Sequence, residues 1–238
     1  MSIVLEIENQ MVVETSPIIY AKVAGLSYII VILLGILGVS IIESSLIVPG
    51  NDAATYTNIS GNEILFRIGV ASEILMYLLV ILLSLSLFVV LRTVDKNLAL
   101  LALLLRVAEA ITGAVTTVLS GLIPILLINT ETVFSPEQVQ NLVRLFLDVR
   151  VAGLDIVLIF IGVGGTIFCY LFFRSNYVPK FLAGWGIFTY MTMLLLAFTS
   201  ILSPNLSETV KMVFYIPGGL FELIFGFWLL VKGIHVNQ

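Results

Sequence analysis

The chain has 238 residues, 60% hydrophobic and 11% charged, with a mean hydropathy of +1.15; a water-soluble domain has too little polar surface to cover so much apolar material, so its solvent is expected to be lipid. A net charge of −4 with no basic patch excludes nucleic acid as a partner. One cysteine, Cys169, and one histidine, His235, exclude a disulfide framework, a Cys-based metal site and any mechanism that needs two or three His ligands; no metal and no cofactor are expected.

Met1 to Ser16 carries Glu6, Glu8 and Glu14 and no basic residue, which is wrong for a cleavable secretory signal, so residues 1–18 are expected to form a cytoplasmic N-terminal segment. Apolar runs bounded by polar clusters then predict six membrane-spanning helices near 19–42, 64–91, 98–128, 140–173, 181–202 and 210–231. Each has at least the ~20 residues a helix needs to cross ~30 Å of hydrocarbon, whereas a barrel would show alternating runs of half that length. The expected fold class is all-α, a polytopic six-helix transmembrane bundle over 19–233 with a cytoplasmic tail at 234–238.

The connection holding Arg92, Asp95 and Lys96, the one holding Arg174 and Lys180, and the ends with Lys22 and Lys232 carry the basic residues. The alternate connections hold no Lys or Arg: Glu43 to Glu63 with Pro49-Gly50-Asn51-Asp52, Asn129 to Gln138 with Glu131 and Glu137, and Ser203 to Glu208. The positive-inside rule therefore predicts both termini on the cytoplasmic side. Spans 2, 3 and 4 exceed the hydrocarbon thickness and are expected to tilt or protrude outward. Glycines in span 1 (Gly25, Gly35, Gly38), span 4 (Gly162, Gly164, Gly165) and span 6 (Gly218, Gly219, Gly226) fit close helix contacts.

Ionisable groups at membrane depth are costly unless paired or wetted, which makes them the candidate site. Near the midplane lie Arg106 and Glu109 on one face of span 3, and Glu222 on span 6. If the two helices meet, two acids and one base leave an uncompensated charge, and one carboxyl is expected to hold a proton near neutral pH. Such a triad suits a binding or proton-coupled site; it suits an inert ion pair between helices equally well. Pro217-Gly218-Gly219, just before Glu222, predicts a kink. Toward the outer face lie Arg67 and Glu73 on span 2, Arg144, Asp148, Arg150 and Asp155 on span 4, and Glu43 at the end of span 1. Residues 144, 148 and 155 share a stripe on which Arg144 and Asp148 can pair. This outer set reads either as wet, self-neutralised turns or as a vestibule leading to Glu109 and Glu222. For catalysis the inventory is thin: Ser84, Ser86 and Ser120 have no His beside them and no Lys in the apolar core to act as a base.

Several stretches resemble a known family. Tyr20-Ala21-Lys22-Val23-Ala24-Gly25-Leu26 is similar to its opening Y-A-R-x-x-G-L, and Ser45-Leu46-Ile47-Val48-Pro49-Gly50 followed by Asp52-Ala53-Ala54 to its first outer loop. Leu65-Phe66-Arg67-Ile68-Gly69 opens span 2 in the same way, and Leu105-Arg106-Val107-Ala108-Glu109-Ala110 resembles F-R-L-x-E-A. Arg174-Ser175-Asn176-Tyr177-Val178-Pro179-Lys180 resembles R-S-x-Y-L-P-R, and Glu222 through Trp228-Leu229-Leu230-Val231-Lys232-Gly233 the closing E-x-x-x-x-x-W-L-L-V-K-G. The family is the prokaryotic domain-of-unknown-function family 4386; the resemblance implies a bacterial or archaeal cell membrane and supplies no activity. The residues themselves favour a protein that binds or moves a polar solute or proton through the bundle, with Arg106, Glu109 and Glu222 as the inner site. A non-enzymatic scaffold or accessory subunit is the alternative, and an enzyme acting on lipid a more distant one. The expected partners are the lipid bilayer and a small polar solute or proton; the residues specify no oligomeric state.

Overall fold

The computed structural model describes residues 17–130, 134–203 and 206–235, and all regular structure among them is helical. The expected N-terminal segment through residue 16, Glu131 and the last three residues of the tail lie outside the described part. Six helices are long and apolar enough to cross a membrane: α1 (Pro17–Leu46), α3 (Glu63–Leu91), α4 (Lys96–Ile128), α5 (Pro136–Ser175), α6 (Lys180–Leu202) and α7 (Glu208–Val231). The chain is therefore a multi-pass integral membrane protein. α5 alone has 40 residues, about 60 Å at ~1.5 Å per residue, so it overshoots any hydrocarbon layer.

One element departs from expectation. The connection between the first two spanning helices folds into a helix, α2 (Asp52–Gly61), where the turn residues suggested a loop. Asn51 starts it by accepting the Ala54 amide at 3.0 Å, and the Val48 amide donates to the Thr55 hydroxyl at 2.9 Å.

Helix ends follow ordinary capping chemistry. Asp95 accepts the Asn97 and Leu98 amides at 3.1 Å each, and Ser135 with Gln138 forms a capping box on α5. Asn176 (φ 57°) ends α5 and Gly233 (φ 68°) follows α7, both in the left-handed region. The His235 amide donates to the Tyr177 carbonyl at 3.0 Å, and the Tyr177 and Thr93 hydroxyls lie 3.3 Å apart. The two basic connections and the C-terminal end thus gather at one end of the bundle.

Each spanning helix packs on its neighbours in the chain, and α7 returns to α1, closing a ring in the order α1, α3, α4, α5, α6, α7. The closing seam depends on small residues: a Cβ added at Gly25 would stand 2.5 Å from the Leu230 nitrogen and 2.6 Å from the Gly226 carbonyl oxygen. Inside the ring the apolar core is split. One cluster, toward the termini, joins Leu83, Leu87, Ala102, Phe168, Phe172 and Phe225; the other, at the far end, joins Ile42, Phe66, Val70, Ile125, Val139 and Val143. In α3, α4 and α5 the segment between the two clusters carries the polar residues, so the split defines a polar layer at membrane depth. Two wide π-helical segments border it, Ile36–Glu43 in α1 and Val118–Leu122 in α4. α7 is helical on both sides of Pro217, and the π segments lie in α1 and α4.

Candidate functional site

Arg150 reaches from α5 into the polar layer. Its Nη1 lies 2.5 Å from Glu43 Oε1 on α1, and its Nη2 pairs with Glu73 Oε1 on α3. The Thr117 hydroxyl on α4 donates to Glu73 Oε2 at 2.9 Å. Glu43 and Glu73 also come within hydrogen-bonding reach of each other. Side-chain exposure is 8% for Glu43, 2% for Glu73 and 20% for Arg150, so the group is largely out of water. Both π segments abut it: one ends on Glu43 and the other begins just after Thr117. A π turn inserts an extra residue and re-aims the side chains beside it, and such turns recur at functional sites. Gly38 lets α1 approach here, since a Cβ would stand 3.2 Å from the Gly69 carbonyl oxygen and 3.3 Å from Glu73 Cγ.

Beside this group opens a cavity of about 340 Å³. Its polar wall comes from Glu73 and Tyr77 (α3), Thr116 and Thr117 (α4), Arg150 and Asp155 (α5), and Lys211 and Tyr215 (α7). Met76, Val151, Leu154 and Val157 make the rest largely apolar. Asp155 accepts the Ser200 hydroxyl at 2.9 Å. The Tyr77 ring lies over Gly113, where any Cβ would overlap it, and is in electrostatic reach of both Glu73 and Glu109. Tyr77 therefore stands between the cavity and the inner charges.

Those inner charges are closed. Arg106 Nη1 and Glu109 Oε2 pair at 2.6 Å with each side chain only 4% exposed, and the Arg106 stem rests on Gly164, a Cβ there standing 3.1 Å from its Cγ. Glu222 on α7 accepts the Tyr190 hydroxyl at 2.7 Å, and that hydroxyl lies 3.4 Å from the hydroxyl of Tyr28. The Tyr190 ring is seated on Gly165. Because the ring follows chain order, α4 and α7 face each other across it and are not packed side by side. No ion pair joins Arg106 to Glu222 among the described residues; the two interact through space, with Tyr190 and Tyr28 also beside Arg106. Tyr190→Phe removes the hydroxyl that holds Glu222. It should cost about 1–3 kcal/mol, seen as a lowered melting temperature of the detergent-solubilised protein.

The outer set divides. Glu73, Arg150 and Asp155 wall the cavity. Arg67 pairs with Glu63 at 2.7 Å on the exposed rim, and Arg144 pairs with Asp52 at 3.1 Å and Asp148 at 3.7 Å, fastening α2 to α5. Exposed pairs of this kind contribute little. Sequence reasoning passed over Tyr77, Thr117, Tyr190, Lys211 and Tyr215. Only Tyr77 left a local signal, standing one helical turn beyond Glu73 on the same face.

No curated protein and no solved structure matches this chain. Residues 23–233, which hold nearly all of the six-helix ring, the signature residues around Arg106-Glu109 and the closing Glu222 segment, match the profile described as a domain of unknown function (DUF4386); the chain belongs to that family.

Proposed function

We propose that this protein binds a small polar or ionic solute in the cavity beside Arg150, and that a proton held among the buried carboxyls moves with it. The observation that carries the reading is the cavity itself. Four spanning helices enclose about 340 Å³ at membrane depth and place acidic and basic side chains on its wall, where burial of such groups is costly without a use. The Arg106–Glu109 pair offers the contrast, since a charge pair that only fastens helices can be sealed away. Each buried charge cluster sets two acids around one base, Glu43 and Glu73 around Arg150, and Glu109 and Glu222 near Arg106. Electrical neutrality then calls for one proton per cluster. In our reading the basic connections and both termini face the cytoplasm of a prokaryotic cell, so the layer with Arg150 lies nearer the outside. The sealed Arg106–Glu109 pair favours a second reading in which the charges only hold a scaffold together.

Water access separates the two readings. Cys169 is buried, so the native thiol gives little background to a membrane-impermeant thiosulfonate. Val157→Cys, on the cavity wall, should be labelled, whereas Ala102→Cys, in the apolar cluster near Arg106, should not. An unreactive Val157→Cys in folded protein overturns the binding role and leaves the scaffold.

A further inference from the structure

We propose that the cavity takes a small organic monocation and gives up one proton as the cation binds. The inference rests on the reading of the cavity as a solute site and names its ligand class. Charge is the first argument. The wall itself carries Glu73 from α3 and Asp155 from α5 against Arg150 from α5 and Lys211 from α7, and Glu43 from α1, behind the wall on the same Arg150, makes the described set three acids against two bases. α4 adds only hydroxyls to the wall, from Thr116 and Thr117. Glu109, below Tyr77, is already matched by Arg106. One negative charge is left over in a layer out of bulk water, and at that depth it does not stay bare. Glu43 shares the Arg150 guanidinium with Glu73, and a proton carried on Glu43 compensates the layer when the cavity is otherwise empty of charge. A monocation in the cavity supplies the same compensation, so the balanced step is protonated site plus cation going to cation-bound site plus one released proton.

Size and lining decide the kind of cation. A bare metal ion leaves a space of about 340 Å³ almost unfilled, and it needs several free oxygen ligands to replace its water. Here Glu73 is engaged by Arg150 and Thr117, and Asp155 by Ser200. An alkylammonium ion fits better: its apolar skirt meets Met76 and Leu154, and its diffuse charge suits the rings of Tyr77 and Tyr215. An anion would have to compete for Arg150, which two carboxylates already hold.

Three probes of one shape test this on the purified full chain in weakly buffered detergent: choline, its uncharged isostere 3,3-dimethylbutan-1-ol, and the anion 3,3-dimethylbutanoate. Choline should bind at least tenfold more tightly than the alcohol and release about one proton per site. Its affinity should rise about tenfold per pH unit wherever the site is protonated. Glu43→Gln should retain the fold yet lose the proton release; should it fail to fold, the pH dependence of wild-type choline binding gives the same answer. Choline binding without proton release overturns the inference, as does tighter binding of the butanoate, which would leave the solute site standing with the opposite charge preference. No binding by any probe, with Val157→Cys still labelled, overturns the inference while the cavity remains wet. No binding with Val157→Cys unreactive removes both readings.

Discussion

Arg150→Met should lower the unfolding temperature of the solubilised protein more than any other single change in the polar layer, by the equivalent of about 3–5 kcal/mol. Among the described residues the guanidinium is the only base set between Glu43 and Glu73. Without it two largely buried carboxyls face each other, and Thr117 offers a hydroxyl to only one of them. Removing the acids as well should recover much of the loss, because Glu43→Gln/Glu73→Gln/Arg150→Met leaves neutral groups of similar size. Arg144→Met is the control. That side chain is 52% exposed, and its loss should cost no more than about 1 kcal/mol. A triple variant no more stable than Arg150→Met alone would show that the guanidinium acts through packing and not through charge.

Gly25→Leu is expected to have the second largest effect, about 3 kcal/mol, by forcing apart the seam that closes the ring. The backbones of α1 and α7 meet there so closely that even a methyl group overlaps Leu230 and Gly226 main-chain atoms, which have no rotamer to escape into. Gly184→Ala provides the contrast, since no atom lies within 4 Å of its added Cβ. Relief of helical glycine should there stabilise by roughly 0.5–1 kcal/mol. Melting followed by the fluorescence of Trp185 and Trp228 reads both. An unchanged melting temperature in Gly25→Leu would mean that the two helices tolerate separation.

What could be read from residues alone followed the range of the interaction. The six spans were legible because hydrocarbon thickness sets a length that no soluble helix must meet, and Arg106–Glu109 because three residues along a helix fix a shared face. α2 escaped notice: its ten residues carry no apolar stripe, and Pro49-Gly50-Asn51-Asp52 reads as a turn although Asn51 is the helix cap. The π segments were invisible because the backbone takes that form in response to packing, as where Gly38 admits α3 and Gly121 faces Val70. Tyr190 and Glu222 lie 32 positions apart on different helices, so their meeting depends on ring order. The same order sets Glu222 across the bundle from Arg106, which no spacing rule along one helix could reveal. Arg144 and Asp148 share α5 with Arg150, yet they meet Asp52 at an exposed position while Arg150 meets Glu43 and Glu73, for a shared helix does not put residues at a shared depth.

A ring whose members sit in chain order also dictates how it is made. Each newly synthesised helix finds its resting place against the one inserted just before it, so most of the structure can assemble while the ribosome is still at work. The α1–α7 seam is different, because it joins the first span to the last and must wait for both. Until the final helix arrives, the glycine face of α1 and the interior around Glu109 lie open to lipid, and a chain terminated before Gly226 is left as an unclosed arc for cellular proteases to remove.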